Sequence, residues 1–277
     1  MAQSSESGLR PLTIVVEKLR LLAYLSFWVV VLVGMFLTKY VTKLDLEHTL
    51  LTKVFGYNNI CVYFDHPPSN HVLPFLWAIT LVLLMGYMLG HWLQMRAAVE
   101  QGHLSRKAFK ALSAASVFEA FTMIAFSTIF AVSPTGWNET LYIHTVPFFL
   151  LQIGLLSLAI SKTVYGFASG YWRRLGFPEW MLTGAKVYCV VFICIVAFKI
   201  PAATNAMAGQ PWWEQTPFFT SVAYVFDRLF LICAAIVPMG LSAYLAYFKT
   251  EHIEIIQIQS SFANNAPRPR PVVQSNG

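Results

Sequence analysis

Six stretches of this chain stay apolar for about the length of a membrane-crossing helix, near residues 21–37, 72–95, 111–132, 142–160, 185–200 and 221–247. A helix needs about 20 apolar residues to cross roughly 30 Å of hydrocarbon. The fifth stretch is the shortest and borrows residues 181–184 to complete its length. In lipid each segment must satisfy its own backbone hydrogen bonds, so all six are expected to be helices. Composition points the same way. The chain is 57% hydrophobic and only 12% charged, against about 25% charged in a soluble domain. Its mean hydropathy is +0.58. The expected fold class is all-α: a polytopic integral membrane bundle of six transmembrane helices. Its parts are an N-terminal tail (1–20), a transmembrane domain (21–248) and an unstructured basic tail (249–277) carrying Pro267, Pro269 and Pro271.

Orientation follows from where lysine and arginine fall. One side receives Arg10, Lys18 and Arg20; Arg96, Arg106, Lys107 and Lys110; Lys162, Arg173, Arg174 and Lys186; and Lys249, Arg268 and Arg270. The other receives only Lys39, Lys43, Lys53 and Lys199. Both termini are therefore expected in the cytoplasm. The first stretch follows basic residues as a signal sequence does, but no small-residue cleavage site precedes Lys39, so it reads as a retained signal anchor. Asn138-Glu-Thr140 is a glycosylation sequon in a loop that the charges place outside. The net charge of +6 and pI near 9.1 are explained by topology and contact with anionic lipid, not by nucleic acid.

Polar groups inside the spans carry the functional reading. Glu119 lies near the middle of the third span, where a charged carboxylate is costly unless it is protonated, paired or facing a wet cavity. Its candidate partners are Asp227 and Arg228 in the last span, Lys199 at the end of the fifth, and His144 and Gln152 in the fourth. The expected intramembrane polar site is thus Glu119, Asp227, Arg228, His144 and Gln152, with no catalytic residue, metal or cofactor assigned. Pro147 and Pro238 would kink or locally open their spans. Gly86 and Gly90 form a GxxxG that invites close helix packing.

Several chemistries fit poorly. A haem between helices needs two axial ligands at one depth, but His91 and His144 sit at opposite ends of their spans. His66, His71, His144 and Asp65 gather outside without a regular zinc-ligand spacing. G-x-S-x-G, the Walker A loop and GxGxxG do not occur. Cys61, Cys189, Cys194 and Cys233 make no disulfide framework. The long first outer loop, rich in aromatics, is expected to fold against the bundle. Trp212 and Trp213 fit an interfacial aromatic belt.

One family pattern is present. The outer loop ends in Val62-Tyr-Phe-Asp-His-Pro-Pro-Ser-Asn-His-Val-Leu-Pro-Phe75 and runs straight into the second span. His144 opens the fourth span, Lys186 the fifth, Asp227 comes early in the sixth, and Tyr247-Phe248 closes it. This resembles the DRAM (damage-regulated autophagy modulator) family with its FRAG and Sfk relatives. The resemblance implies a non-catalytic six-span protein linked to autophagy and lysosomes, to GPI-anchor lipid remodelling in the Golgi, or to phosphoinositide signalling at the plasma membrane.

The reading is therefore a regulatory or scaffolding protein of the endomembrane system (lysosome, Golgi or ER) or the plasma membrane. Its expected partners are membrane lipids and a protein bound through the cytoplasmic tail. Alternatives are a small transporter or channel using Glu119, Asp227 and Arg228, a lipid-modifying enzyme, or an accessory subunit of a larger membrane complex.

Overall fold

The computed structural model describes residues 12–134, 139–208, 217–249 and 255–258. Among the described residues, six helices are long and apolar enough to cross a membrane. The first is α1 (Val16–Phe36), continued by a π-helical turn (Leu37–Val41). A short helix, α2 (Leu50–Phe55), lies in the first loop, followed by α3 (Ser69–Glu100), α4 (Arg106–Phe126) and α5 (Glu139–Ala168). The one-turn α6 (Tyr171–Arg174) leads to α7 (Glu179–Met207). The sixth span is α8 (Pro217–Leu231), a π-helical turn (Ile232–Ile236) and α9 (Val237–Phe248). Most of these helices run past the apolar stretches by several residues, because amphipathic flanks continue the helix beyond the purely apolar core.

The surface identifies the solvent. Val82 and Val117 are 71% and 72% exposed, whereas Glu17, Gln94 and Ser242 are 0% exposed. Apolar side chains outside and polar ones inside suit a bilayer, where lipid solvates the former and the latter must find partners within the bundle.

Local chemistry sets several boundaries. Ser105 caps α4 by accepting from the Ala108 amide at 3.2 Å. Gly56, with φ of 73°, ends α2 in the left-handed conformation that glycine adopts without strain. The first loop is folded, as expected: Leu51, Val54, Ile60 and Val62 are buried against Leu73, Trp77 and Phe130. Helix packing depends on small residues. A Cβ at Gly154 would stand 1.9 Å from Thr122 Oγ1, so α4 and α5 meet backbone to side chain there. Of the GxxxG pair, only Gly90 is pressed, with Val16 of α1 at 3.0 Å from where its Cβ would be.

The two prolines expected to kink their spans behave differently. Helix α5 continues unbroken through Pro147. The sixth span widens into its π-turn just ahead of Pro238, whose missing N–H and ring crowd the preceding turn. Finally, β1 (Leu12–Val15) pairs antiparallel with β2 (Ile255–Ile258), a ladder within the tail expected to be unstructured. It places both ends of the described chain at one end of the bundle, called here the terminal end; the end carrying α2 is the loop end.

Candidate functional site

The polar groups divide into three places. At the loop end, His144 Nε2 of α5 lies 3.1 Å from Asp65 Oδ1, with both side chains buried. His144 Nδ1 is 3.0 Å from the Val132 carbonyl, which can only accept, so Nδ1 carries a hydrogen. Nε2 and Oδ1 are close but make no hydrogen bond to each other, so both are buried polar atoms without a partner among the described residues. Burial pushes the Asp65 carboxyl well above the ordinary carboxylate range. Beside it, Lys199 of α7 donates to Asp227 of α8 in a second buried pair. Gln152 and Thr145 line the same space, a cavity of about 30 Å³, with room for roughly one or two waters. Asp227 Oδ2, Gln152 Oε1 and Thr145 Oγ1 have no hydrogen-bond partner among the described residues, so a water there is well supplied with partners.

Between the two ends, nearer the terminal one, stands Glu119. Its Oε1 accepts from Ser157 at 2.8 Å and Ser161 at 2.9 Å, both on α5. The structure therefore gives Glu119 neither His144, Gln152, Lys199 nor Asp227, and the expected single site is split. His144, Gln152 and Asp227 are together; Glu119 is elsewhere. Arg228 is also apart, reaching the Asn58 carbonyl at 3.4 Å and lying over the Tyr224 ring at 4.9 Å. Asn138 and the Trp212–Trp213 pair lie outside the described residues.

The third place is at the terminal end, and the sequence reading missed it. Glu17 and Arg20 occupy one face of the first turn of α1, Lys162 comes late in α5, and Ser242 lies on α9. Glu17 Oε1 accepts from Lys162 Nζ at 2.8 Å. Its Oε2 lies 3.6 Å from Arg20 Nη1 and accepts from Ser242 at 3.3 Å. Lys162 sits 5.8–5.9 Å from the ring centroids of Tyr87, Tyr165 and Tyr171, and Arg20 sits 5.5 Å from that of Tyr87. Rings at this distance stabilise a cation through their quadrupoles. His91 stacks on Tyr87 and faces Gln94 at 3.3 Å. Glu17, Arg20 and Lys162 are nearly or fully buried.

A cavity of about 170 Å³ adjoins this cluster, bounded by Arg20, Tyr24, Lys162, Trp172, Tyr188 and Pro238 among others. Tyr188 donates to the Cys233 carbonyl at 2.7 Å, occupying a backbone acceptor in the π-turn. An apolar layer separates the two polar ends. It surrounds a cavity of about 40 Å³ lined by Phe27, Trp77, Leu84, Met123 and Phe126. Along α5 the order is clear: His144 and Thr145 face the loop-end cavity, Leu151 the apolar one, and Lys162 the terminal-end one.

In comparisons with known proteins, no family model, no curated protein and no solved structure matches this chain. Fold and buried charges together define its class: a multi-pass, six-span membrane protein with separated polar centres inside the bundle.

Proposed function

We propose that this chain is a non-catalytic regulatory or scaffolding protein of the endomembrane system that works by holding membrane lipid. The observation that carries the proposal is the terminal-end cavity of about 170 Å³. Its wall joins buried cations to apolar and aromatic side chains, the mixture an amphipathic lipid presents in reverse. Its rim includes Gly184 of α7 and Val237 of α9, both exposed on the lipid-facing surface. The resemblance to the DRAM, FRAG and Sfk group supports the same reading, with autophagy, lysosomal or phosphoinositide membranes as its setting. The test is to purify the full chain in mild detergent, extract it with solvent and quantify the lipid. About one lipid per chain, enriched over the detergent background, is expected; none sinks the proposal.

A second reading is a small transporter. It is favoured by the two polar cavities on either side of an apolar layer, next to a widened turn in the sixth span. Such interrupted helices are common in transporters. Flux in proteoliposomes that is lost in Asp227→Asn would move the conclusion there.

A further inference from the structure

The terminal-end cavity differs from the other two in the donors it contains. Arg20 is 4% exposed, yet its Nε and Nη1 have no hydrogen-bond partner among the described residues. Its carboxylate neighbour, Glu17, makes its short bond to Lys162 at 2.8 Å and stands off at 3.6 Å from Arg20. Across the same cavity Trp172, 3% exposed, carries an indole Nε1–H without a partner among the described residues. A buried guanidinium left with open donors is costly, and its planar fork matches phosphate oxygens. Trp172 is also held in place: a Cβ on Gly166 would come within 2.4 Å of its ring, so glycine is what lets the indole lie against α5.

Size and access narrow the ligand. A cavity of about 150 Å³ accepts a benzene-sized group, so the space here suits a phosphate with its ester arms but not a whole lipid. The apolar remainder needs a way out. Helix α9 packs mainly on α1, whereas α7 packs on α5 and α8, and the cavity lies between α7 and α9. A Cβ on Gly184 would meet nothing within 4 Å, and Val237 opposite is 41% exposed, so that seam is open towards the acyl chains.

We propose that this cavity is an anion site for the phosphodiester of a membrane lipid headgroup, with Arg20 and the Trp172 indole as its donors and the α7–α9 seam as the exit for the lipid tails. The proposal rests on the lipid-holding reading above and adds the headgroup chemistry. The shared chemistry is phosphate, and its source is either a lipid or the free anion.

Native mass spectrometry of the full chain in detergent separates these. The probes are dioleoylphosphatidylglycerol, dioleoylglycerol (the same tails without phosphate) and inorganic phosphate. The phosphatidylglycerol is expected to bind at least about tenfold more tightly than the diacylglycerol. Arg20→Gln should abolish that preference and leave diacylglycerol binding unchanged. Arg96→Gln, which removes an exposed charge paired to Glu100, should leave both unchanged. Should Arg20→Gln fail to fold, Trp172→Phe and Arg20→Lys carry the test, each expected to weaken phosphatidylglycerol several-fold. Equal binding of the two lipids to the wild type overturns the anion site while lipid holding stands. Binding of inorganic phosphate but of neither lipid keeps the anion site and removes the lipid. An unaltered preference in the folded Arg20 and Trp172 variants overturns the proposal.

Discussion

At the loop end each basic side chain has its own acid. Lys199 meets Asp227, His144 meets Asp65, and the space left between them admits little beyond a water. At the terminal end one acid, Glu17, is shared between Lys162 and Arg20, with a cavity more than five times larger beside them. Both ends bury charge in the same bundle, but with opposite consequences. One-to-one pairing matches each acid to one base and ties neighbouring segments to each other. Sharing leaves donor capacity over, on residues that line the larger cavity. Neutralised charge next to little room reads as a packing device; under-used charge next to room reads as a site.

Glu17→Ala should produce the largest effect, since it removes the acid that two buried cations share. Breaking a buried pair costs about 3–5 kcal/mol, so a loss at or above that range is expected in detergent unfolding. Lys199→Met strands only Asp227 and should cost about 3 kcal/mol in the same assay. The double variants sharpen the contrast. Lys199→Met/Asp227→Leu should return close to wild type, because both members of an exclusive pair are gone. Glu17→Leu/Lys162→Met should not, because Arg20 remains buried without its acid; full recovery there would contradict the shared-acid description. Gly154→Leu, at the tight α4–α5 contact, should cost about 1–3 kcal/mol through overpacking, measured as a fall in melting temperature. A smaller signature concerns pH. Burial holds the folded Asp65 carboxyl above its unfolded value of about 4. Its protonated form therefore contributes stability that is complete below that value and is lost as pH rises through the folded pKa. Melting temperature should decline across that rise, and Asp65→Asn should flatten the decline. Glu119→Gln should be mildest, about 1 kcal/mol, because both serines can still donate to the remaining oxygen.

How far the sequence could be read depended on the length scale of each signal. Apolar runs of membrane length reveal six spans because nothing else tolerates them. The loop-end cluster is half visible: His144, Gln152 and Asp227 stand out as polar residues in apolar runs, whereas Asp65, in the loop, suggests only a metal ligand. Glu119 was visible as a residue but not by its partners, since serines in an apolar helix look unremarkable. The terminal-end cluster was hidden for a different reason. Arg20 and Lys162 lie one and two residues beyond the apolar stretches 21–37 and 142–160, where basic residues ordinarily mark loops. The helices run past those limits, to Val16 and Ala168, so charges counted as topology signals are in fact inside the bundle. Glu17, one turn before the apolar run, gave the one clue: an acid three residues ahead of Arg20 on the same helical face.

The ladder between β1 and β2 has a consequence for the chain as a whole. Because residues 12–15 and 255–258 lie side by side, the described polypeptide is nearly a closed ring, and the order in which its spans are written is a matter of where the ring is cut. The turn at Gly102, between α3 and α4 and shaped by a φ of 74°, is another place to cut it. A permuted chain, joined by a short linker across the ladder and beginning at α4, should keep the melting temperature of the parent. If it does, the order of membrane insertion can be rearranged without altering the folded bundle.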